Sequence, residues 1–416
     1  MTASQASPKA PHPVVYTILY FPFGALGGFI GVALTFLATR HGLSITEGAF
    51  LNGASLMMNW LKWIWAPLVD TTLTPKKWYV FSTTVSALGV AAMAIIPLGP
   101  DTLTLLLLVI AGASLINTMV GMSIEAMMAQ ATPPDQRGRV SAWFQAGNLG
   151  GAGIGGGIGL ILLETLPEPW MTGLIFGISF MLCCLALRAL PNFAPEISLH
   201  GELRGAAKAA AAMKQVFQDI AGMAKTQGGV LSSLLCFLPI GTGAAQGVLT
   251  QADVAAVWGA GDSEVALVQG WLNGIVTVVG CFAGGWLCNR YAPRVVYAWI
   301  GLALAVTAVA MALSPTTVAM YITWNMIYAA FIGFAYSAFT AIVLDAMGQG
   351  SAATKYTLYA TLSNFPIWWA GLLLGRVADT SGAAAMLHLE AALGVGGVVL
   401  FGVATQAIKR TSLPVN

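Results

Sequence analysis

The chain has 416 residues, of which 57% are hydrophobic and only 8% charged, with 18 Lys and Arg against 16 Asp and Glu. A soluble domain carries about 25% charge, and polar residues this sparse cannot cover a water-soluble fold of such length. A globular enzyme is therefore excluded, an integral membrane protein is implied, and the net charge of +2 offers nothing to nucleic acid. Cys183, Cys184, Cys236, Cys281 and Cys288 form no CxxC pair and lie in or beside apolar runs, as buried thiols do. The histidines (His12, His41, His200 and His388) are scattered. No metal site, cofactor or catalytic set is expected.

Residues 1–13 are polar and hold Lys9. The first apolar run after them is long enough to span and is followed by no processing site, so it reads as a retained first helix. Apolar stretches of about 20 residues then recur between short polar segments. They predict helices over 14–38, 46–69, 78–98, 103–130, 139–163, 170–190, 226–250, 264–288, 295–313, 316–345, 356–378 and 383–406. The fold class is an all-α integral membrane protein of twelve transmembrane helices in two six-helix bundles. Residues 1–190 and 226–416 form the bundles, and 191–225 link them. Barrel strands are excluded, because they are shorter and alternate in polarity. With both termini placed inside, 15 of the 18 basic residues fall on the cytoplasmic side, a strong positive-inside pattern. Arg40 and Arg376 fall outside, and Lys62 lies within a span.

Helix 1 carries Pro22 and glycines 24, 27, 28 and 31, which suggest a broken or tightly packed helix lining a cavity. Tyr16, Tyr20 and Tyr336 offer hydroxyls, although Tyr16 also suits an interfacial anchor. In helix 2, Lys62 lies eight residues before Asp70, roughly 12 Å deeper in a helix. It either snorkels to headgroups or faces a cavity, where it would attract an anion or hold Glu125. Asn59 shares its face. Glu125 lies inside the apolar helix 4, where an ionisable residue survives only if paired or lining water. It can carry a proton between sides, pair with Arg137 or Arg139 as a gate, or touch substrate. Helix 5 has eight glycines between Gly147 and Gly159, which permit close helix approach. Gln145 and Asn148 share a face there.

In the linker, Met213, Val216, Phe217 and Ile220 make one apolar side, and Lys208, Lys214 and Lys225 suit anionic headgroups. A short surface helix is expected. Asp345 in helix 10 carries the Glu125 argument more weakly. Helix 11 holds Asn364, Pro366, Trp368 and Trp369; the indoles either stack on a ring-bearing ligand or pack against lipid. Glu390 in helix 12 has no assigned role.

The halves look like copies. Glu125 in SIEAMMAQ corresponds to Asp345 in IVLDAMGQ, Asn148 to Asn364, and Asp70 to Asn289. Repeated six-helix units mark a secondary transporter, whose bundles rock about a central cavity. Because that cavity lies within one chain, a monomer suffices. The partners are then a small-molecule substrate, protons and membrane lipids.

The stretches FPFGALGGFIGVALTFLATRHGLSITEGAF, WIWAPLVD and DQRGRVSAWFQAGNLGGAGIGGGIG, with DAMGQGSAATKYTLYATLSNFP in the second half, resemble the AmpG-like permeases of the major facilitator superfamily. That group includes muropeptide, acetyl-coenzyme A and siderophore permeases. The resemblance implies a proton-driven importer in the bacterial inner membrane. It assigns coupling to Glu125 and Asp345, and inner-gate charges to Asp70, Arg137 and Arg139. The expected cavity residues are Lys62, Asn59, Gln145, Asn148, Tyr20, Tyr336, Asn364 and Trp368. The second-half loop departs from the family pattern by carrying Asn289. No helices beyond twelve are counted, which leaves a smaller cargo, such as an iron chelator, open. The competing classes are a non-transporting receptor on the same bundle and an exporter.

Overall fold

A computed structural model describes residues 11–43, 45–193, 205–348 and 350–410, which are helical with no strand among them. Lys9 and Arg204 lie outside the described residues, as does the side chain of Lys208.

Helix α1 (Val14–Gly28) runs on through a π-helical stretch, Phe29–Leu34, and a last turn, Thr35–Arg40. Pro22 sits inside α1 without ending it. Helix α2 (Ile45–Leu61) gives way to a 3-10 turn at Lys62–Ile64 before α3 (Ala66–Thr71). Then come α4 (Pro75–Ile95), α5 (Leu103–Ala131), α6 (Arg137–Thr165) and α7 (Pro169–Cys183). Helix α4 starts where its chemistry directs: the Thr74 hydroxyl accepts from the Lys77 N–H, and Pro75 opens the first turn. Helix α8 (Gly205–Met223) falls within residues 191–225, the expected linker. The second half holds α9 (Gln227–Phe237), α10 (Ala244–Leu249), α11 (Asp262–Gln269) and α12 (Trp271–Cys288). It ends with α13 (Pro293–Leu313), α14 (Val318–Ala346), α15 (Ala352–Ser381) and α16 (Ala383–Lys409).

Among the described residues, nine helices are long and apolar enough to cross a membrane. Three expected spans fall short of that description. Residues 46–69 are broken at Lys62–Ile64, and residues 226–250 are broken between Phe237 and Ala244. Residues 356–378 lie in α15, which is long enough at 30 residues but carries many polar side chains. All three segments line the central cavity described below. Their polarity and their broken backbone have one cause, since irregular or polar backbone is tolerated at membrane depth only where it borders protein or water.

The glycines of α6 set the packing. A methyl group at Gly24, Gly28 or Gly155 would fall on the facing backbone at Asn148, Ala152 or Ala25, so α1 and α6 touch main chain to main chain. The crossing of α6 with α12 is also close, though less so, with Gly138 against Gly285 and Gly153 against Gly274. In lipid there is no hydrophobic drive between helices, so such small-residue contacts supply the dispersion energy. Tyr16 is 1% exposed in the core of this half. It is a packing residue, not an interfacial anchor, because α1 is enclosed at that depth.

Helix α8 is seated by a narrower stripe than its periodicity predicts. Ala212 and Val216 are buried and Ile220 packs against them, whereas Met213 and Phe217 are exposed. Asp219 ties α8 to the start of α15 by accepting from the Ser351 hydroxyl at 2.6 Å.

Candidate functional site

The helices enclose a cavity of about 270 Å³. Its wall takes Lys62 and Asn59 from the α2 end, Glu125 and Asn117 from α5, and Gln145 and Asn148 from α6. The second half adds Gly241 and Thr242, Tyr297, Tyr336, and Tyr356 and Asn364. Tyr20 faces the cavity from α1, stacked on Phe144 with ring centroids 4.0 Å apart.

Lys62 and Glu125 are the two charged residues in this wall. Lys62 Nζ stands 3.9 Å from Glu125 Oε1, with the lysine 6% and the glutamate 1% exposed. The 3-10 turn at Lys62–Ile64 re-aims the lysine toward α5. Lys62 therefore does not snorkel, and Glu125 does not pair with Arg137 or Arg139. The pair is loose, and the Tyr20 hydroxyl is a second hydrogen-bonding neighbour of the same carboxylate. A buried charge held by so loose a pair is costly to keep.

One hydrogen-bonded chain crosses the cavity wall between the halves. Asn148 Nδ2 donates to Gln145 Oε1 at 3.1 Å, Gln145 Nε2 donates to Thr340 Oγ1 at 2.7 Å, and Thr340 lies 2.9 Å from the Tyr356 hydroxyl. Sequence reasoning paired Gln145 with Asn148 but did not single out Thr340, Tyr356, Tyr297 or Asn117. An uncharged polar residue in an apolar helix gives no signal that separates a cavity position from a hydroxyl bonded back to its own helix.

At the end that carries the basic loops, the halves are fastened together. Asp70 is 1% exposed and accepts from the Ala353 N–H at 3.1 Å, the Thr354 N–H at 2.9 Å and the Thr354 hydroxyl at 2.6 Å. It thus caps the first turn of α15 with a negative charge, the favourable sign at a helix N-terminus. Asn289 does the corresponding work at α6: its Oδ1 accepts from the Arg139 N–H at 3.2 Å. The cap survives the change from Asp to Asn, with one bond where Asp70 makes at least three. The Arg139 side chain turns to His12, 3.4 Å away. Arg137 pairs with Asp345 at 2.6 Å, and Arg294 reaches the same carboxylate at 3.6 Å.

Asp345 and Trp368 lie outside the cavity. The Asp345 side chain is 46% exposed within its arginine cluster, so it does not share the environment of its sequence counterpart Glu125. Trp368 is 55% exposed and sits at the seam between α2 and α15, its ring centroid 6.2 Å from that of Trp60. The cavity face of this stretch is made instead by Asn364, Pro366 and Ile367.

Polar groups converging on a cavity among helices, with a sealed end, define the architecture of a membrane solute carrier. The family model of the Major Facilitator Superfamily matches residues 16–370, and the chain belongs to that superfamily. It is accordingly a secondary transporter of small solutes and not an enzyme. Solved structures share the fold. A point variant of the E. coli fucose:proton symporter FucP is 16% identical, with a TM-score of 0.70 over 96% of this chain and 98% of its own. The human organic anion transporter TETRAN is 16% identical, with a TM-score of 0.63 over 93% and 98%. A bacterial homologue of the iron transporter ferroportin, in its outward-facing state, is 14% identical, with a TM-score of 0.61 over 96% and 99%.

Proposed function

We propose that the chain is a proton-coupled importer of a small polar or anionic organic solute. In this reading it crosses the bacterial inner membrane twelve times. Bundles 1–190 and 226–416, joined by 191–225, place both termini and the basic loops in the cytoplasm, as the positive-inside pattern favours. The Asp70 and Asn289 caps and the Asp345 cluster then seal the cytoplasmic end, leaving the cavity for solute from outside.

The observation that carries this reading is the buried, loose Lys62–Glu125 pair in the cavity wall. With Glu125 ionised, the lysine charge is neutralised and an anion gains little. Once Glu125 takes a proton, Lys62 is left as a buried cation, and an anionic group of the solute becomes its partner. Solute and proton are then favoured together, which is symport. The asparagine, glutamine and tyrosine groups around the cavity supply hydrogen bonds for the remaining polar atoms. A fucose:proton symporter and an organic anion transporter share the fold.

Within the AmpG-like group suggested by the sequence, the cavity of about 270 Å³ favours a small cargo over a muropeptide or a large siderophore. It lies near the small end of ligand pockets, ~300–1,000 Å³.

The test begins with a thermal-shift screen of purified protein against sugar acids, monocarboxylates, small peptides and muropeptides, since a bound ligand stabilises the native state by mass action. The hit is then followed in proteoliposomes. Glu125→Gln is expected to abolish accumulation driven by an imposed proton gradient while leaving solute exchange intact. Loss of both activities in normally folded protein would overturn the coupling role.

A further inference from the structure

Glu390 stands apart from this site. It is 7% exposed in α16 and does not line the central cavity. Its Oε1 accepts from the Ala245 N–H at 3.3 Å, in the first turn of α10, and its Oε2 accepts from the Tyr328 hydroxyl of α14 at 2.9 Å. One carboxyl therefore joins three helices. Helix α10 is the short piece beyond the break in the 226–250 segment, and the break holds Gly241 and Gly243 at positive φ. Two further bonds fix α10 to α14: Gln246 Nε2 to the Asn325 carbonyl at 3.3 Å, and the Tyr321 hydroxyl to the Leu249 carbonyl at 3.0 Å. Glu390 is the titratable member of this clamp whose charge can change at ordinary pH.

Its surroundings hold no compensating charge. The small pocket that it lines is otherwise uncharged, with Pro239, Gly301, Leu304, Ala370, Leu374 and Leu393 in its wall. From α13 and α15 these include no titratable group. From α14 the titratable group facing it is Tyr328, and on α16 itself His388 is exposed and bonded to the Ala384 carbonyl. Among the described residues no ion pair reaches Glu390. A small cavity of about 10 Å³ lies beside it and shares Gly241 and Thr242 with the wall of the central cavity. That is close to the ~10–15 Å³ a single water needs, and the broken segment forms the wall it shares with the solute cavity.

We propose that Glu390 is a second proton-binding site of the carrier, whose charge state latches or releases the half-helix α10. As a carboxylate it accepts two charge-assisted bonds, each roughly twice as strong as a neutral one. On taking a proton through the break it loses that charge assistance: one oxygen must donate and the other accepts the Ala245 N–H only as a neutral carbonyl, so the carboxyl's hold on α10 weakens to that of an ordinary hydrogen bond. The broken segment, with its glycines, then acts as the hinge.

The test needs no solute and so is independent of the Lys62–Glu125 reading. Spin labels are placed at Gly247→Cys, where an added side chain meets open space, and at the exposed Thr323→Cys, with the native cysteines replaced. Distances are measured in nanodiscs between about pH 5 and about pH 8. With Glu390 present, a second distance population is expected to grow as pH falls. Glu390→Gln is expected to show that population at every pH, and Glu125→Gln to keep the pH response. Tyr328→Phe removes one bond from the carboxyl and is expected to move the midpoint by about one pH unit, the worth of one hydrogen bond to a charged group. A pH-independent distance, a response that survives Glu390→Gln, a response lost in Glu125→Gln, or an unmoved midpoint in Tyr328→Phe would overturn the proposal. Should Glu390→Gln fail to fold, the Tyr328→Phe midpoint decides.

Discussion

Lys62 and Glu125 constrain each other more than either constrains the fold. Both are buried, so removing one leaves the other uncompensated, and breaking such a pair costs roughly 3–5 kcal/mol where the contact is tight. At 3.9 Å this contact is loose, and a loss toward or below the low end is expected. Lys62→Met should lower the melting temperature of the detergent-solubilised protein. The double variant Lys62→Met with Glu125→Gln should recover most of the loss, because no buried charge then remains. A double variant no more stable than Lys62→Met would contradict the pairing. These two residues are legible in the sequence, since charge in an apolar run is costly and rare. Thr340 and Tyr356 are not, because their importance rests on bonds that reach across the halves, such as Gln145 Nε2 to Thr340.

Helices announce themselves here through apolar length, and the α6 glycines announce their close contacts. Gly155 faces the Ala25 backbone directly, whereas Gly375 of α15 has nothing within 4 Å of an added methyl. Gly155→Ala should therefore destabilise the fold and reduce the yield of monodisperse protein. Gly375→Ala should be neutral or stabilising, since alanine gains about 1 kcal/mol over glycine in a helix interior. Equal behaviour of the two variants in thermal melts would refute the main-chain contact. The breaks were less legible. Both breaks fall inside stretches that read as single spans, 46–69 and 226–250, although the second holds Pro239 and Gly241, residue types that mark turns. Pro22 and Pro366 gave similar signals inside helices that continue through them. In α1 the neighbouring helix packs tightly enough to hold the chain helical despite the lost bond.

Closure of the basic end is a property of the whole molecule, since Asp70 and Thr354 lie 284 residues apart. Asp70→Ala removes at least three bonds to one buried carboxylate. The amides of Ala353 and Thr354 should then exchange with deuterium at least about tenfold faster, as each 1.4 kcal/mol of lost protection is a factor of ten. Asn289→Ala removes a single neutral bond and should accelerate exchange near Arg139 by less. Mass-spectrometric exchange on peptides from the starts of α6 and α15 reads both. Unchanged exchange at α15 in Asp70→Ala would show that the cap does not hold the halves together.

The sequence by itself determined that this chain is a bundle of apolar helices in lipid, with a few ionisable residues at depth. Burial in hydrocarbon fixes composition and length locally, and the same reading matches Glu125 in SIEAMMAQ with Asp345 in IVLDAMGQ. Only the tertiary structure decided how alike the repeated residues are. Glu125 faces Lys62 in the cavity, whereas its counterpart Asp345 meets Arg137 and Arg294 at the surface. Asp70 and Asn289 cap opposite helices despite their different charge. Those outcomes depend on which distant side chain stands within a few ångströms, and electrostatic energy at that range is set by packing geometry that neighbouring residues along the chain do not encode.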